Sequence, residues 1–138
     1  MIGLLVITHG TLGESLIQCA NHVLNKKLPQ VVQIGVTAGD DPALLLPQAR
    51  NLVKEVDSGD GVLILTDIYG GTPSNMAAKL VVPGDVEAVA GVSLPMLIRV
   101  LNYRDCDLKT IVTKAISGGC EGVLRVPVFG LHNAATER

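Results

Sequence analysis

Residues 4–10 read LLVITHG and residues 62–71 read VLILTDIYGG, and these two stretches indicate the fold class most strongly. Each passes through four aliphatic residues into a threonine and then a titratable residue, with glycine close by. Continuous aliphatic runs of this kind are typical of parallel strands that are covered on both faces. Because ligands bind beyond the carboxyl ends of such strands, we predict that His9 and Asp67 occupy matching positions at one crevice.

Short apolar runs alternate along the chain with longer segments of helical period, which indicates repeated βα units. We therefore predict an α/β fold, with a single doubly wound, mostly parallel sheet of strand order 2-1-3-4 and helices on both faces. The predicted strands cover residues 2–8, 31–36, 62–66 and 87–92, and residues 123–128 are a late strand candidate. Residues 1–138 are long enough for one domain, in which residues 129–138 are expected to be a frayed tail.

Helix signals follow the predicted strands. Thr11 with Glu14 three residues later predicts a capping box that begins the first helix. Pro42 suits the first position of a second helix, and Pro47 either kinks that helix or delays its start. The other predicted helices begin at Pro73, with Thr72 as the N-cap, at Pro95, continuing to Leu101, and at Leu108, continuing to Ser117 and stopping at Gly118-Gly119.

Composition excludes several classes of function. Apolar residues make up 48% of the chain, and the net charge is -2 with acids and bases interspersed, so no basic footprint for nucleic acid is present. Aromatic residues make up only 2%, which leaves little to stack on bases or sugars. The start of the chain has no positively charged segment, and no apolar stretch reaches the roughly 18 to 20 residues that span a bilayer. We therefore expect a cytoplasmic protein.

The sequence also lacks the motifs of common cofactor sites. Cys19, Cys106 and Cys120 have unrelated spacings and no CxxC pair, which predicts reduced thiols instead of disulfides or a zinc site. The chain contains no GxSxG, GxxxxGK[ST] or GxGxxG motif, so it lacks the motifs expected of a serine hydrolase, a nucleotide kinase or a dinucleotide oxidoreductase. We predict no metal and no cofactor.

His9 and Asp67 are the candidate catalytic pair. A neutral imidazole is nucleophilic, and a carboxylate that binds one ring nitrogen leaves the other nitrogen free to react. The alternative is a structural histidine beside a turn-forming aspartate. Gly70, Gly71 and Thr72 lead into a predicted helix, whose backbone N–H groups favour an anion, and glycines let the backbone come close. These three residues are the candidate phosphoryl-binding residues.

Two pairs of charged residues are weaker candidates. Asp40 and Asp41 follow the second strand near the same crevice, although they are most simply loop and N-cap residues. Arg99 and Arg104 follow the fourth strand and either guide an acidic or phosphorylated partner or are solvated surface residues. The two histidines other than His9 have no evident partner and are interpreted as incidental.

Three blocks of the sequence resemble the IIA domain of the mannose-type (mannose/fructose/sorbose) phosphotransferase system. They are Leu4–Gly10, Leu65–Asp67 leading into Gly70–Asn75, and Ala90–Leu97, within a resemblance that spans residues 2–126. The resemblance implies that His9 is the phosphorylated residue and forms a phosphohistidine intermediate. It also implies that Asp67 hydrogen-bonds and orients His9, and that the loop from Gly70 to Thr72 cups the phosphoryl group.

The same resemblance implies partners. The phosphoryl group would arrive from the histidine-phosphorylated carrier HPr and pass to a IIB component, here expected to be a separate chain. An indirect association with a membrane permease is implied, as is a homodimer in which residues 123–128 pair with the partner's sheet. A related branch that serves dihydroxyacetone kinase has a different loop after its third strand and fits less well.

Two other functions stay open at the level of sequence. The first is a regulatory binding module, which reports the phosphorylation state of His9 to another protein without taking part in sugar transport. The second is a receiver-like domain phosphorylated on Asp67, since receivers also carry an aspartate after their third strand. This second function lacks the acidic pair expected after the first strand, where His9 stands.

Overall fold

The computed structural model describes residues 1–129, in which strands and helices alternate as the sequence predicts. The strands are β1 (Gly3–His9), β2 (Val31–Val36), β3 (Val62–Thr66) and β4 (Val86–Ala90). The helices are α1 (Leu12–Leu24), α2 (Pro42–Val56), α3 (Thr72–Ala78), α4 (Leu94–Asn102) and α5 (Leu108–Glu121). The four strands pair in parallel in the order β2-β1-β3-β4, which confirms the predicted fold class and strand order.

Two apolar layers cover the sheet because successive side chains of a strand point to opposite faces. Leu4, Val6, Leu63 and Leu65 belong to the layer with α1, α4 and α5. Leu5, Ile7, Val62 and Ile64 belong to the layer with α2 and α3. Full burial of one such Leu, Ile or Val side chain stabilises the fold by roughly 1.5–3 kcal/mol, which explains the continuous aliphatic runs.

The first helix begins without the predicted capping box. The Thr11 side chain makes no capping hydrogen bond. The buried Thr8 hydroxyl accepts instead from the Gly13 N–H, at 2.7 Å, and so joins the end of β1 to the first turn of α1. Pro42 begins α2 as predicted, and Pro47 lies inside that helix, so it does not delay the helix start.

The prediction that the last helix stops at Gly118-Gly119 is wrong. Helix α5 continues to Glu121, because both glycines face α4 at close range. A Cβ on Gly118 would lie 2.8 Å from the Arg99 Cβ, and one on Gly119 would lie 2.9 Å from the Met96 Cε. These glycines therefore permit helix–helix contact instead of ending the helix.

The two arginines after β4 lie in different environments, and only Arg104 is buried away from any partner. Arg104 is buried, and its guanidinium donates hydrogen bonds to the carbonyl oxygens of Ile2, Pro29 and Gln30. These hydrogen bonds therefore hold the start of β1 next to the start of β2. Arg99 is partly exposed and binds Glu121 at 2.7 Å, which links α4 to the end of α5.

Residues 123–128 form no strand within the described chain, so the predicted late strand does not belong to the sheet of this subunit. Val123, Leu124 and Val126 are exposed. A strand needs a partner for its backbone groups, and pairing with a second copy of the chain remains a prediction. The predicted tail, apart from Phe129, and His132 lie outside the described residues. Within residues 1–129, no helix has the length and apolar character needed to cross a membrane.

Candidate functional site

The sheet brings the two predicted catalytic residues together. His9 is the last residue of β1, and Asp67 directly follows β3, the neighbouring strand. The His9 Nδ1 lies 2.8 Å from the Asp67 Oδ2, which is hydrogen-bonding distance. The matching positions expected from the two quoted stretches are therefore present at the carboxyl edge of the sheet.

Asp67 holds both the backbone and the ring of His9. Its Oδ2 accepts from the His9 backbone N–H at 2.9 Å as well as from the ring, and its Oδ1 accepts from the Ile68 N–H at 2.8 Å. Partial burial raises the pKa of the Asp67 carboxyl, but the hydrogen bonds from His9 and Ile68 together outweigh it, so the pKa lies below its ordinary value. Asp67 is therefore an ionised carboxylate at neutral pH.

This arrangement selects one tautomer of the His9 ring. An ionised carboxylate only accepts hydrogen bonds, so the Nδ1 that faces Asp67 carries a proton. In the neutral ring the free lone pair is then on Nε2. The His9 side chain is 53% exposed, whereas that of Asp67 is 13% exposed. Among residues 1–129, no hydrogen-bond partner occupies Nε2, so the nucleophilic nitrogen is open to an approaching group.

The loop after β3 comes close to this ring because it contains glycine. A Cβ on Gly71 would lie 3.1 Å from the His9 Cε1 and 3.1 Å from the Ile68 Cγ2. Gly70 has a φ of +90°, a backbone conformation that other residues rarely adopt. The prediction that Thr72 is the N-cap of α3 is wrong: Gly71 has the extended N-cap backbone, and Thr72 is already helical because Pro73 favours the first positions of a helix.

A second glycine fixes the other side of the site. The Gly10 N–H donates to the Val36 carbonyl at 2.8 Å, which holds the residue after His9 against β2. A Cβ on Gly35 would lie only 2.1 Å from the Gly10 carbonyl oxygen, so this approach requires glycine. Gly35 was not predicted to belong to the site, although an isolated glycine within a strand pattern is a known signal of close backbone approach.

Replacing Gly35 with alanine is expected to push Gly10 away from β2 and to destabilise the protein by about 1–3 kcal/mol, as overpacking does. Gly39→Ala is the matched control, because a Cβ on Gly39 would meet nothing within 4 Å. Urea unfolding of both variants measures the difference. Equal stability of the two variants would contradict the assigned role of Gly35.

The predicted loop and capping roles of Asp40 and Asp41 are confirmed. The Asp40 Oδ2 accepts from the Thr37 N–H at 2.8 Å and from the Thr37 hydroxyl at 2.9 Å, and these bonds lower the pKa of its carboxyl. Asp41 caps α2 by accepting from the Ala43 N–H at 2.9 Å. Both carboxylates are exposed at the same edge of the sheet as His9.

The described part of the chain shows no metal centre. No group of three or more histidine, cysteine, aspartate or glutamate side chains is placed to hold an ion in residues 1–129. Cys19, Cys106 and Cys120 are free thiols, as the spacing predicts.

Comparison with known proteins identifies the family. The family described as "PTS system fructose IIA component", in which PTS denotes the phosphotransferase system, matches residues 3–115. The mannose-specific EIIAB component of the PTS from Escherichia coli K12 is 32% identical over 137 residues, covering 97% of this chain but 42% of its own length. The fructose-specific EIIA component from Bacillus subtilis strain 168 is 27% identical over 106 residues, covering 76% of this chain and 72% of its own length.

A solved structure supports the same assignment at the level of fold. The mannose/sorbose-specific IIA subunit from Enterococcus faecalis superposes with a TM-score of 0.82 at 22% identity, covering 92% of this chain and 96% of that subunit. The chain spans less than half the length of the E. coli relative. The family match nevertheless includes all four strands and His9, Asp67 and the loop between Gly70 and Thr72. This chain belongs to the mannose-type IIA family of the sugar phosphotransferase system.

Proposed function

We propose that this chain is a phosphocarrier of the phosphoenolpyruvate-dependent sugar phosphotransferase system, and that Nε2 of His9 carries the phosphoryl group. The observation that supports this most strongly is the 2.8 Å contact between Asp67 and Nδ1, which leaves the lone pair on the exposed Nε2. Family membership supports the same function, because IIA components transfer phosphoryl groups.

In the proposed transfer, the Nε2 lone pair attacks the phosphorus of the donor. The new N–P bond forms as the bond between phosphorus and the donor's nitrogen breaks, and that electron pair stays with the donor. The His9 ring becomes positively charged during this step, and the Asp67 carboxylate stabilises it through Nδ1–H. Delivery to the acceptor reverses the roles, with His9 as the leaving group.

Gly70, Gly71 and Thr72 are the proposed phosphoryl-binding residues. Gly71 is close enough to the ring that a Cβ there would approach the His9 Cε1 to 3.1 Å. Backbone N–H groups of this loop are therefore well placed to donate to the oxygens of a phosphoryl group on the neighbouring Nε2. The Thr72 hydroxyl, which caps no helix, is free to donate to the same oxygens.

HPr is the proposed phosphoryl donor, and a IIB component, linked to a membrane permease, is the proposed acceptor. The named relatives are components of sugar-specific transport systems, which favours the carrier function over a purely regulatory module. A cytoplasmic location follows from these partners and is part of the proposal.

The proposal includes a homodimer formed by residues 123–128. Apart from one bridge between Val82 and Val86, β4 has no described neighbour on its outer side. An open strand edge exposes unpaired backbone N–H and C=O groups, and an exposed apolar segment favours association in water. Pairing the segment of one copy with the strand edge of another would satisfy those backbone groups and cover the apolar side chains. The segment would therefore pair with β4 of the second copy.

Val126→Asp is expected to convert the dimer into monomers, because it places a charge within the paired strand. Ile116→Asp, on the exposed surface of α5, is the matched control and should leave the dimer intact. Sedimentation equilibrium measures both masses. A monomeric wild type, or a Val126→Asp protein that stays dimeric, would remove this part of the proposal.

The phosphocarrier function is tested by incubating the wild-type protein with labelled phosphoenolpyruvate, purified enzyme I and HPr. We expect a label that is stable in base and labile in acid, as a phosphohistidine is, and that depends on HPr. An acid-stable label would indicate a phosphorylated hydroxyl, and a base-labile label would indicate the receiver-like alternative on Asp67. Either result would overturn the proposal.

A further inference from the structure

Two buried threonines stand at equivalent places in the central strands. Thr8 directly precedes His9 in β1, and Thr66 directly precedes Asp67 at the end of β3. Their exposures are 0% and 2%. Within residues 1–129, only the Thr8 hydroxyl is hydrogen-bonded to a helix, since it accepts from the N–H of Gly13 in α1. The two threonines therefore share burial and position but differ in what the hydroxyl does.

The Thr8 hydroxyl closes the loop that contains the candidate nucleophile. Because it accepts from the Gly13 N–H at 2.7 Å, residues 9–12 lie between the two ends of one hydrogen bond. A Cβ on Gly13 would stand only 3.0 Å from the Thr8 Oγ1, so glycine is the residue that allows this close contact. The Thr11 side chain does not cap α1. The buried hydroxyl of the preceding strand therefore takes the place of an N-cap.

The contacts between His9 and Asp67 depend on how the His9 backbone is held. A single oxygen, the Asp67 Oδ2, accepts from the His9 backbone N–H at 2.9 Å and from the His9 Nδ1 at 2.8 Å. One oxygen can serve both groups only while the backbone and the ring keep one relative orientation. The pairing of β1 with β3 ends at Ile7 and Thr66, two residues before His9. The chain around His9 therefore relies on side-chain hydrogen bonds on this side.

We propose that Thr8 is a positioning residue for His9. Its hydroxyl holds the first turn of α1 against the end of β1, so that Nδ1 of His9 stays on Asp67 and Nε2 stays exposed. Without this acceptor, the buried Gly13 N–H has no partner, which is unfavourable, and the loop of residues 9–12 is expected to rearrange to satisfy it. The inference rests on the proposed function, because the orientation of His9 affects a rate only if Nε2 reacts.

The test uses Thr8→Val, which replaces the hydroxyl with a methyl group of similar size. We expect phosphorylation by phosphoramidate, which needs no donor protein, to become about tenfold slower, since loss of a group that orients a histidine typically costs about 10- to 100-fold. With phosphorylated HPr, kcat should fall by a similar factor and KM should not change, because the substituted side chain is buried. Thr8→Ser keeps the hydroxyl and should restore the rate to within about twofold of wild type.

Thr66→Val is the matched control, because Thr66 is equally buried at the end of the neighbouring strand but is not bonded to a helix. Its rates should stay within about twofold of wild type. Nitrogen-15 NMR of the unphosphorylated proteins gives a readout that a purely stabilising role of Thr8 would not change. We expect the His9 ring to carry its proton on Nδ1 in wild type and Thr66→Val, and to be a mixture of tautomers in Thr8→Val.

A Thr8→Val rate within twofold of wild type, or an equal loss in Thr66→Val, would overturn the positioning role. An equal loss in Thr8→Ser would overturn it too, because packing and not the hydroxyl would then be responsible. If Thr8→Val does not fold, Thr8→Ser and Thr8→Ala are a second pair that differs in the hydroxyl, and equal rates in that pair would contradict the role. A wild-type protein that neither donor phosphorylates would remove the proposed function, whereas the tautomer comparison would still decide the role of Thr8.

Discussion

His9→Ala is expected to lose all phosphoryl labelling and to keep its fold. The His9 side chain is about half exposed, and its ring bonds only to Asp67, so truncation removes little packing. No other described histidine stands beside a carboxylate at the carboxyl edge of the sheet, and the reaction has no second nucleophile of the same kind there. The measurement is incorporation of labelled phosphate from phosphorylated HPr, with circular dichroism to confirm folding.

His22→Ala is the control for this substitution, because His22 is exposed in the last turn of α1 and we expect it not to be phosphorylated. Its labelling should equal that of wild type. Label that persists in His9→Ala would show that another residue is phosphorylated. If that label were labile in base, the phosphorylated residue would be Asp67.

Asp67→Ala is expected to remain folded and to accept the phosphoryl group about 10- to 100-fold more slowly, a typical loss when the partner that orients a histidine is removed. The variant loses both the hydrogen bond to the His9 Nδ1 and the hydrogen bond to the His9 backbone N–H. Neither the tautomer nor the position of the His9 ring is then fixed. The rate is best measured with phosphoramidate, a small-molecule phosphoryl donor, so that the binding of a donor protein does not affect the measured rate. Full activity would remove the orienting role of Asp67.

Asp40→Ala is the matched control for this experiment, since Asp40 also accepts two hydrogen bonds in a neighbouring loop but does not contact His9. Its rate with phosphoramidate should match wild type. The pH dependence gives a further check. Because the pKa of Asp67 lies below its ordinary value, the contribution of its carboxylate to the free energy of unfolding is fully present above about pH 4 and is lost as the pH falls through the folded-state pKa. The difference in stability between wild type and Asp67→Ala, measured by urea unfolding, should therefore shrink only in strong acid.

The contact between His9 and Asp67 was predictable because continuous aliphatic runs identify the two central strands. A strand covered on both faces leaves little freedom in where it ends, so the titratable residues at the ends of β1 and β3 fall at one edge of the sheet. The bounds of β2 and β3 agree with the predicted ranges for the same reason, since turns delimit both apolar runs.

The misjudged features depend on contacts between residues that are distant in sequence. Gly118 and Gly119 looked like a helix stop, but their absent side chains make room for α4. Arg104 looked like a surface charge, but three backbone carbonyls surround its guanidinium. A local pattern does not show which partner a glycine or an arginine will meet, so only the packed structure assigns these roles.

We infer that Asp67 directs phosphorylation to one particular nitrogen of His9. Nitrogen-15 and phosphorus-31 NMR of the phosphorylated, nitrogen-15-labelled protein tests it most directly, because a one-bond coupling identifies the nitrogen bonded to phosphorus. We predict that the coupling is to Nε2 of His9 and that Nδ1 of the same ring keeps its proton. Coupling to Nδ1, or to no histidine at all, would contradict the account.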